Sequence, residues 1–252
     1  MPLPKIDHLI LLVDDLDRAS ADIAAQGFTV QERADTKHGT TRFRFVTFEE
    51  GSYILITAFT SSEAAAGHRL GPVLEKGNGW ADYSFVVADL DTAAARGAAA
   101  GTVLGPVHDV SNVVASGEKW GLRLLVAGHG ALGDDSLPFL IQDVVGRTIR
   151  IPPPVPHTNG ALGVAEIRIA AADPEGTATR LAALLGLAVA RGPKGEPILN
   201  ADACTVRILA NVPGARQVGG LTSVVLRCSA GARPKTLEGP AVHYAQIELR
   251  PE

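Results

Sequence analysis

The sequence predicts an α+β fold built from repeated strand–helix–three-strand (βαβββ) units, and a repeated motif carries this prediction. Residues 6–27 contain an apolar run, then V-x-D-L-D, then an alanine-rich stretch that ends in glycine. Residues 81–101 repeat this order, and residues 163–186 form a weaker third copy. Short apolar segments bounded by turn residues follow each copy, which is typical of strands.

Each copy predicts a strand followed by a helix. The apolar runs are rich in β-branched residues and carry little polarity, which indicates strands buried on both faces. Aspartates that can accept hydrogen bonds from free backbone N–H groups stand at the three helix starts: Asp14 or Asp15, Asp89 and Asp173. Glycines that tolerate a left-handed cap end the helices: Gly27, Gly101 and Gly186.

The segments after each helix predict further strands. Those after the first helix cover 28–35, 40–48 and 52–59. Those after the second cover 102–107, 119–127 and 138–145. Those after the third cover 187–192, 203–210, 221–228 and 242–249. We interpret the last two as the remnant of a fourth unit, and the sequence places no helix between 229 and 240.

A proline-rich connector, IPPPVPHTNG at 151–160, marks the predicted domain boundary. Three consecutive prolines cannot join a central strand and favour an extended chain. We therefore expect residues 1–150 to form a pair of βαβββ units around one cleft. Residues 151–252 are expected to form a further βαβββ-like unit that packs against the first domain.

Composition narrows the class of protein. Of 252 residues, 46% are hydrophobic and 20% charged, which excludes a disordered chain. The net charge is −4 without a Lys/Arg cluster, so we expect no nucleic-acid partner. No apolar run reaches the ~20 residues of a membrane helix, and the N-terminus is interpreted as a strand, not a signal peptide. The two cysteines, Cys204 and Cys228, favour a reducing, cytoplasmic setting.

Several motifs show a resemblance to a known family. The opening I-D-H-L-I-L-x-V-x-D-L-D at 6–17 is similar to the first strand of the vicinal oxygen chelate superfamily, which includes glyoxalase I and extradiol dioxygenases. Further motifs resemble its glyoxalase-like domain subgroup: 38–40 (HGT), 51–53 (GSY), 138–142 (PFLIQ) and 157–160 (HTNG). The resemblance implies that two units curl around a cleft. In metal-dependent members, first and last strands supply His and Glu ligands, and the substrate chelates the metal through two oxygens.

The metal site that this resemblance implies is incomplete. His8 stands at a family ligand position, and the repeat places Asp82 and Glu166 at the same position in the other copies. Leu55, however, stands where the family often has Glu, and Gln142 stands near a second carboxylate position. We therefore expect no stoichiometric Zn²⁺ or Fe²⁺ and no glutathione-dependent glyoxalase activity. A weakly bound divalent metal on His8 and Asp82 stays open.

The candidate site centres on three residues. His8 is predicted as general base or single imidazole ligand, Asp82 as its carboxylate partner, and Gln142 as an orienting amide. Further residues are candidates for substrate binding: His38, Arg42, Tyr83 and Trp120. An arginine can hold an anionic group and aromatic rings can stack on a planar ligand, but surface exposure and core packing are the alternatives for these residues.

These observations predict an enzyme that acts on a small oxygen-bearing organic substrate, of lyase, isomerase or ring-opening type. The alternative is a metal-free protein that binds or sequesters a small molecule. The pair His8 and Asp82 favours the enzyme, and Leu55 favours the alternative. The expected partner is a small molecule, with no nucleic acid and no membrane, and a homodimer stays open.

Overall fold

A computed structural model describes residues 3–35, 39–210 and 219–252. These residues form two seven-stranded mixed sheets, each curled into a half-barrel. The fold is α+β with repeated βαβββ units, as the sequence predicts. None of the helices in the described ranges is long and apolar enough to cross a membrane.

The first sheet and its helices lie between residues 5 and 150. Its elements in chain order are β1 (Lys5–Leu12), α1 (Leu16–Ala25), β2 (Thr41–Thr47), β3 (Tyr53–Phe59), α2 (Ser62–Ala66), α3 (Gly71–Leu74), β4 (Gly79–Val86), α4 (Leu90–Ala99), β5 (Val107–Val113), β6 (Lys119–Val126), β7 (Phe139–Val145) and then α5 (Arg147–Arg150). The strand order is β2-β3-β1-β4-β7-β6-β5. The first strands of the two units, β1 and β4, pair antiparallel at the centre, and each pairs parallel with the last strand of its own unit.

The second sheet repeats this arrangement. Its elements are β8 (Ala161–Ala170), α6 (Pro174–Leu185), β9 (Ala190–Arg191), β10 (Pro197–Ala201), β11 (Cys204–Leu209), β12 (Gly220–Cys228), β13 (Lys235–Leu237), a 3₁₀ turn (Pro240–Val242) and β14 (Gln246–Pro251). The strand order is β13-β14-β12-β8-β11-β10-β9, with β8 and β12 antiparallel at the centre. The chain from β12 onward therefore supplies half of a sheet with three strands and no α-helix among its described residues.

The three helix starts predicted from the sequence are confirmed. Asp15 caps α1 by accepting hydrogen bonds from the backbone N–H groups of the first turn. Asp89 caps α4 and Asp173 caps α6 in the same way. Gly186 ends α6 with φ of 67°, a left-handed conformation that favours glycine. These signals are local, which is why the sequence alone places them.

Residues 28–35 differ from the prediction, because they form no regular strand. Gln31 makes an isolated bridge to Phe45 on β2, and Asp35 makes one to Val114 beside β5. The segment therefore crosses from one edge strand of the half-barrel to the other. Arg33 lies within it and ion-pairs with Asp35 at 2.8 Å.

Other strand boundaries also differ. The segment predicted at 102–107 is a loop, and β5 begins only at Val107, because Pro106 has no N–H group to donate to a ladder. The last strand begins at 246 and not at 242, because a 3₁₀ turn precedes it and His243 and Tyr244 adopt φ of 51° and 61°. Strand β10 at 197–201 was not predicted.

The two sheets share one apolar core through their outer faces. Leu9 and Phe85 of the first sheet and Ile167 and Leu226 of the second are buried in it together with α1, α4 and α6. A second, smaller core covers the other face of the first sheet, which we call the inner face. Its residues include Ile10, Leu12, Phe139 and Ile141, covered by Leu70 and Val73 from the segment of α2 and α3.

Candidate functional site

A β-bulge brings two neighbouring polar side chains together at the start of β1. Ile6 pairs with Phe85 and His8 pairs with Ser84, so Asp7 is an extra residue in β1. Neighbouring residues of a regular strand point to opposite faces, whereas a bulge redirects one of them. The Oδ2 atom of Asp7 consequently lies 2.7 Å from Nδ1 of His8.

The same bulge recurs at the equivalent position of the other first strands. In β4 the extra residue is Ala81, because Ile10 pairs with Asp82 and Leu11 with Trp80. In the second sheet two of the three register shifts leave Ala165 and Thr222 as the extra residues. The residues that follow the four bulges are His8, Asp82, Glu166 and Ser223. The repeated fold thus presents four equivalent polar positions.

Asp7 is the centre of a buried ion-pair network. Its carboxylate is fully buried and accepts a 2.6 Å hydrogen bond from Arg147 and bonds of 3.0 and 3.1 Å from Arg150. The Tyr53 hydroxyl also donates to it at 3.1 Å. Asp143 accepts from both arginines at 2.7 and 3.0 Å. Two carboxylates and two guanidinium groups therefore balance one another.

This network keeps Asp7 ionised and orients the ring of His8. Burial alone would raise the pKa of Asp7, but the charge of Arg150 and the hydrogen bond from His8 outweigh it and hold that pKa well below its usual range. Because the carboxylate is ionised, it accepts a hydrogen bond from Nδ1, and the neutral form of the ring is therefore assigned with its proton on Nδ1. Among the described residues no group forms a hydrogen bond with Nε2 of His8. The free lone pair of the ring is therefore on Nε2.

Aromatic rings hold His8 in place. Its ring stacks on Tyr53 with centroids 4.8 Å apart and an interplanar angle of 12°. Phe139 meets the same ring edge-on at 5.2 Å. Burial and the charge of Asp7 raise the pKa of Tyr53 far above its ordinary value, so its hydroxyl stays a donor. The imidazole is thus oriented on two sides.

Asp82 is paired with a cation that comes from the segment of α2 and α3. Its Oδ2 atom accepts a 2.5 Å hydrogen bond from Nη1 of Arg69, which also donates to the carbonyl of His129 at 3.1 Å. The Arg69 guanidinium lies 4.9 Å from the centroid of the Phe139 ring. His8 and Arg69 therefore both lie against Phe139, and Asp82 already has a positively charged partner.

The structure separates the predicted catalytic residues into two groups. His8 and Asp82 lie on the inner face. Asp82 pairs with Ile10, an inner-face residue, and His8 is two residues before Ile10 on the same strand. Gln142 lies on the outer face, where its Oε1 accepts from the N–H of Leu90 at the start of α4 at 3.1 Å. This placement does not support an orienting role for Gln142, because Phe139 and Ile141 occupy the inner-facing positions of β7.

The predicted substrate-binding residues are also divided. Tyr83 is buried in the outer-face core and donates to the carbonyl of Ser136 at 2.7 Å, away from His8. Arg42 and Trp120 line a cleft of about 540 Å³ near the segment that contains Arg33. The Arg33 guanidinium lies 4.8 Å from the Trp120 ring. His38 lies outside the described residues.

The inner face does not fit the transition metal that the resemblance implies. Leu55 pairs with Ile10, two residues after His8, and Phe139 pairs with Ser84, two residues after Asp82. The four ligand positions therefore carry His8, Leu55, Asp82 and Phe139. Zinc needs at least three protein donors, and only His8 and Asp82 can ligate. No three His, Cys, Asp or Glu side chains within the described ranges are grouped to hold a metal ion.

Sequence reasoning missed five residues that build this site: Asp7, Tyr53, Arg69, Arg147 and Arg150. An aspartate beside a histidine in an apolar strand was the signal available for Asp7. It carries little weight without the bulge, because such neighbours normally face opposite ways. The three arginines approach through long-range contacts, and no local pattern marks them.

Comparisons with known proteins agree with this architecture. A family model described as a glyoxalase-like domain matches residues 6–185. No curated protein matches the sequence. A hypothetical protein from Staphylococcus aureus has a TM-score of 0.75 at 15% identity, covering 99% of this chain and 100% of that chain.

Two further solved structures share the fold. A mutant of 4-hydroxymandelate synthase from Streptomyces coelicolor has a TM-score of 0.58 at 11% identity, covering 99% of this chain and 93% of that chain. A xylose isomerase-like TIM barrel/4-hydroxyphenylpyruvate dioxygenase fusion protein has a TM-score of 0.53 at 10% identity, covering 90% of this chain and 37% of that chain. At these identities the likeness concerns the fold alone.

Proposed function

This chain belongs to the glyoxalase-like domain family, and we propose that it is an enzyme acting on a small oxygen-bearing organic substrate with His8 as general base. One observation carries the proposal. The ionised Asp7 holds Nδ1–H of His8 at 2.7 Å and leaves the lone pair of Nε2 without a described partner. A carboxylate that fixes the tautomer and orientation of a histidine is a recurrent device in proton-transfer enzymes.

The proposed base and the incomplete set of metal ligands distinguish among the three reaction types that the sequence suggests: lyase, isomerase and ring-opening. An isomerase or a lyase needs a base that removes a proton beside an oxygen-bearing carbon, and Nε2 of His8 can accept that proton. Oxidative ring opening depends on a redox metal with several protein ligands, and the donor set here does not fit one. We therefore place the reaction in the isomerase or lyase class, without a transition metal.

The second candidate function is a metal-free protein that binds or sequesters a small molecule. Leu55 and Phe139 favour it, because they make two of the four ligand positions apolar. An apolar surface with a few polar groups is typical of ligand-binding sites in general. This function needs no base, so the role of His8 separates the two candidates.

The proposal includes the setting of the protein. We propose a small molecule as its partner, no role for nucleic acid or membrane, and a location in the cytoplasm. Cys204 and Cys228 support this location, because both are buried free thiols.

The test is turnover of a panel of hydroxy and oxo compounds by the wild type, His8→Ala and His108→Ala, in the presence of a chelator. Proton removal by a positioned base contributes about 10²–10⁴-fold, so His8→Ala is expected to lose that factor in kcat. His108, exposed on β5, is the matched control and its variant is expected to retain full activity.

Three outcomes decide between the candidates. Loss of turnover in His8→Ala with an unchanged unfolding midpoint supports the enzyme. Unchanged turnover in that variant would show that the base lies elsewhere. Binding of one panel compound without turnover would favour the sequestering protein.

A further inference from the structure

We propose that Arg69 supplies, on the inner face of the first sheet, the positive charge that a metal ion supplies in metal-dependent relatives, and that the site takes a small planar carboxylate such as a 2-oxo acid. The inference rests on the proposed function for the role of His8 in catalysis. It adds the chemical class of the substrate and a second residue that contacts it.

The first observation is the position of Arg69. Its guanidinium pairs with Asp82, which occupies the ligand position equivalent to His8. It lies 4.9 Å from the centroid of Phe139, whose ring is also 5.2 Å from the His8 ring. Phe139 itself stands at a ligand position of the last strand. The cation is therefore located among the residues that would otherwise surround a metal.

The second observation is that hydrogen bonds anchor one nitrogen of Arg69 while its other donors stay available. Nη1 donates hydrogen bonds to both Asp82 and the carbonyl of His129. Gly130 adopts φ of 95°, and a Cβ atom there would lie 2.8 Å from Cβ of Arg69, so the neighbouring loop closes against its stem. Among the described residues, Nε and Nη2 of Arg69 donate to no group, and the side chain retains 20% of its exposure.

These donors suit a planar oxyanion. A guanidinium presents adjacent N–H groups in one plane, which match the two oxygens of a carboxylate or the oxygens of an enolate. Preorganised donors of this kind stabilise charge that develops during a reaction. Phe139 lies against both His8 and Arg69, so the proposed base and the cation meet at one flat apolar side chain, which suits a planar ligand.

The chemical step balances without a metal or a redox partner. The C–H bond next to the carbonyl breaks, and its proton moves to Nε2 of His8. The bonding electron pair becomes the carbon–carbon double bond of an enolate, and the carbonyl π electrons move to the oxygen that faces Arg69. Return of the proton from His8 to carbon restores the carbonyl compound, so the net reaction is an isomerisation or a proton exchange.

The test is calorimetric titration of the full chain with oxalate, a planar dianion that resembles the enolate of a 2-oxo acid, and with oxamide, its neutral analogue. Both titrations contain a chelator. We expect oxalate to bind and oxamide to bind at least about 10-fold more weakly. Hydrogen bonds from Arg69 to a charged acceptor strengthen binding by at least that factor relative to a neutral acceptor.

The variants locate the binding site. Arg69→Met would leave Asp82 buried without its partner, so the neutral double variant Arg69→Met/Asp82→Asn is measured with it. We expect the double variant to bind oxalate about 10- to 100-fold more weakly. Arg191→Met is the matched control, because Arg191 is an exposed arginine that pairs with Glu175 in the second half of the chain.

The outcomes separate this inference from the proposed function. Oxalate binding that needs a divalent ion, that survives the double variant, or that equals oxamide binding would overturn the role of Arg69. His8→Ala is expected to retain oxalate binding while losing turnover. Arg69-dependent binding without turnover of any compound would leave this inference standing and defeat the enzyme. Turnover that depends on His8 but not on Arg69 would support the enzyme and overturn the role of Arg69.

Discussion

At the scale of single residues, the buried carboxylate of Asp7 has two roles. It orients His8, and it balances Arg147 and Arg150, which meet it from the short helix after β7. Taking a charge out of water costs several kcal/mol unless partners and hydrogen bonds satisfy it. The site and the local stability of the first sheet therefore depend on the same carboxylate.

We expect Asp7→Asn to lower the free energy of unfolding by about 3–5 kcal/mol, because it leaves the buried Arg150 short of a counter-charge. Urea unfolding followed by circular dichroism measures the loss. Asp17→Asn is the matched control, since the exposed Asp17 pairs with Arg44 at the surface, and its loss is expected below about 1 kcal/mol. Equal losses in both variants would contradict the network described for Asp7.

At the scale of elements, the proline-rich connector is attached to the first sheet by His157. Its Nδ1 accepts from the N–H of Thr29 at 3.0 Å, and its Nε2 donates to the carbonyl of Thr47 at 3.0 Å. Phe28 and Phe48 pack edge-on against the ring. A protonated ring would lose the bond from Thr29, because both nitrogens would then be donors.

This attachment predicts a pH dependence of stability. Burial lowers the pKa of His157 in the folded protein, while the bond to Thr47 opposes this less strongly. An unfolded histidine titrates near about 6.5. A lowered folded pKa means that the contribution is complete above about pH 6.5 and is lost as the pH falls toward the folded value.

We expect His157→Gln to be less stable than the wild type at pH 7.5 and to lose less stability between pH 7.5 and 5. The measurement is the free energy of unfolding in urea at several pH values. His108→Gln, on the exposed strand β5, is expected to keep the wild-type slope. A wild-type slope in His157→Gln would place the titrating group elsewhere.

At the scale of the whole molecule, the two half-barrels share a fold but differ in their inner faces. The four positions that carry His8, Leu55, Asp82 and Phe139 in the first sheet correspond in the second to Glu166, Arg207, Ser223 and Glu248. Arg168 bonds Glu166 at 2.7 Å and Glu248 at 3.1 Å. The second inner face thus has arginine–carboxylate pairs and no histidine at these positions.

Charge pairing explains why Glu166 is ionised on the inner face of the second sheet. Burial would raise the pKa of Glu166, but hydrogen bonds from Arg207 and Arg168 outweigh it and lower that pKa. Glu166 is therefore an ionised carboxylate that already accepts hydrogen bonds from two arginines, whereas Nε2 of His8 has no partner among the described residues. We accordingly place the proposed chemistry in the first sheet.

The common core predicts that the two sheets unfold together. Trp80 donates from Nε1 to the carbonyl of Gln246 at 3.2 Å, and Arg96 donates to two carbonyls of α6. Leu199 on β10 is fully buried in the second sheet, far along the chain from both tryptophans. Trp80 and Trp120, the only two tryptophans, both lie on strands of the first sheet.

We expect Leu199→Ala to cost about 2–5 kcal/mol through the cavity it leaves, and to shift the tryptophan fluorescence transition in urea by as much as the circular dichroism transition. Coincident transitions indicate one cooperative unit. A fluorescence transition that stays at the wild-type midpoint would show that the first sheet unfolds independently.

The sequence by itself determined the βαβββ repeats and the starts of three helices, because strand periodicity and capping aspartates such as Asp15 act over a few residues. It also placed His8 and Asp82 at equivalent positions. It could not determine that Asp7 turns toward His8, since this depends on a bulge against β4. Nor could it show Gln142 on the outer face.

Only the tertiary structure decided the partners of these groups. Asp7 and Arg150 are 143 positions apart in the chain, and Arg69 reaches Asp82 from the segment of α2 and α3. Such contacts depend on how strands, helices and loops pack, and the pattern of neighbouring residues carries no information about them. The local signals therefore determined the fold, while the packing of distant arginines determined the charge and the proton positions of the candidate site.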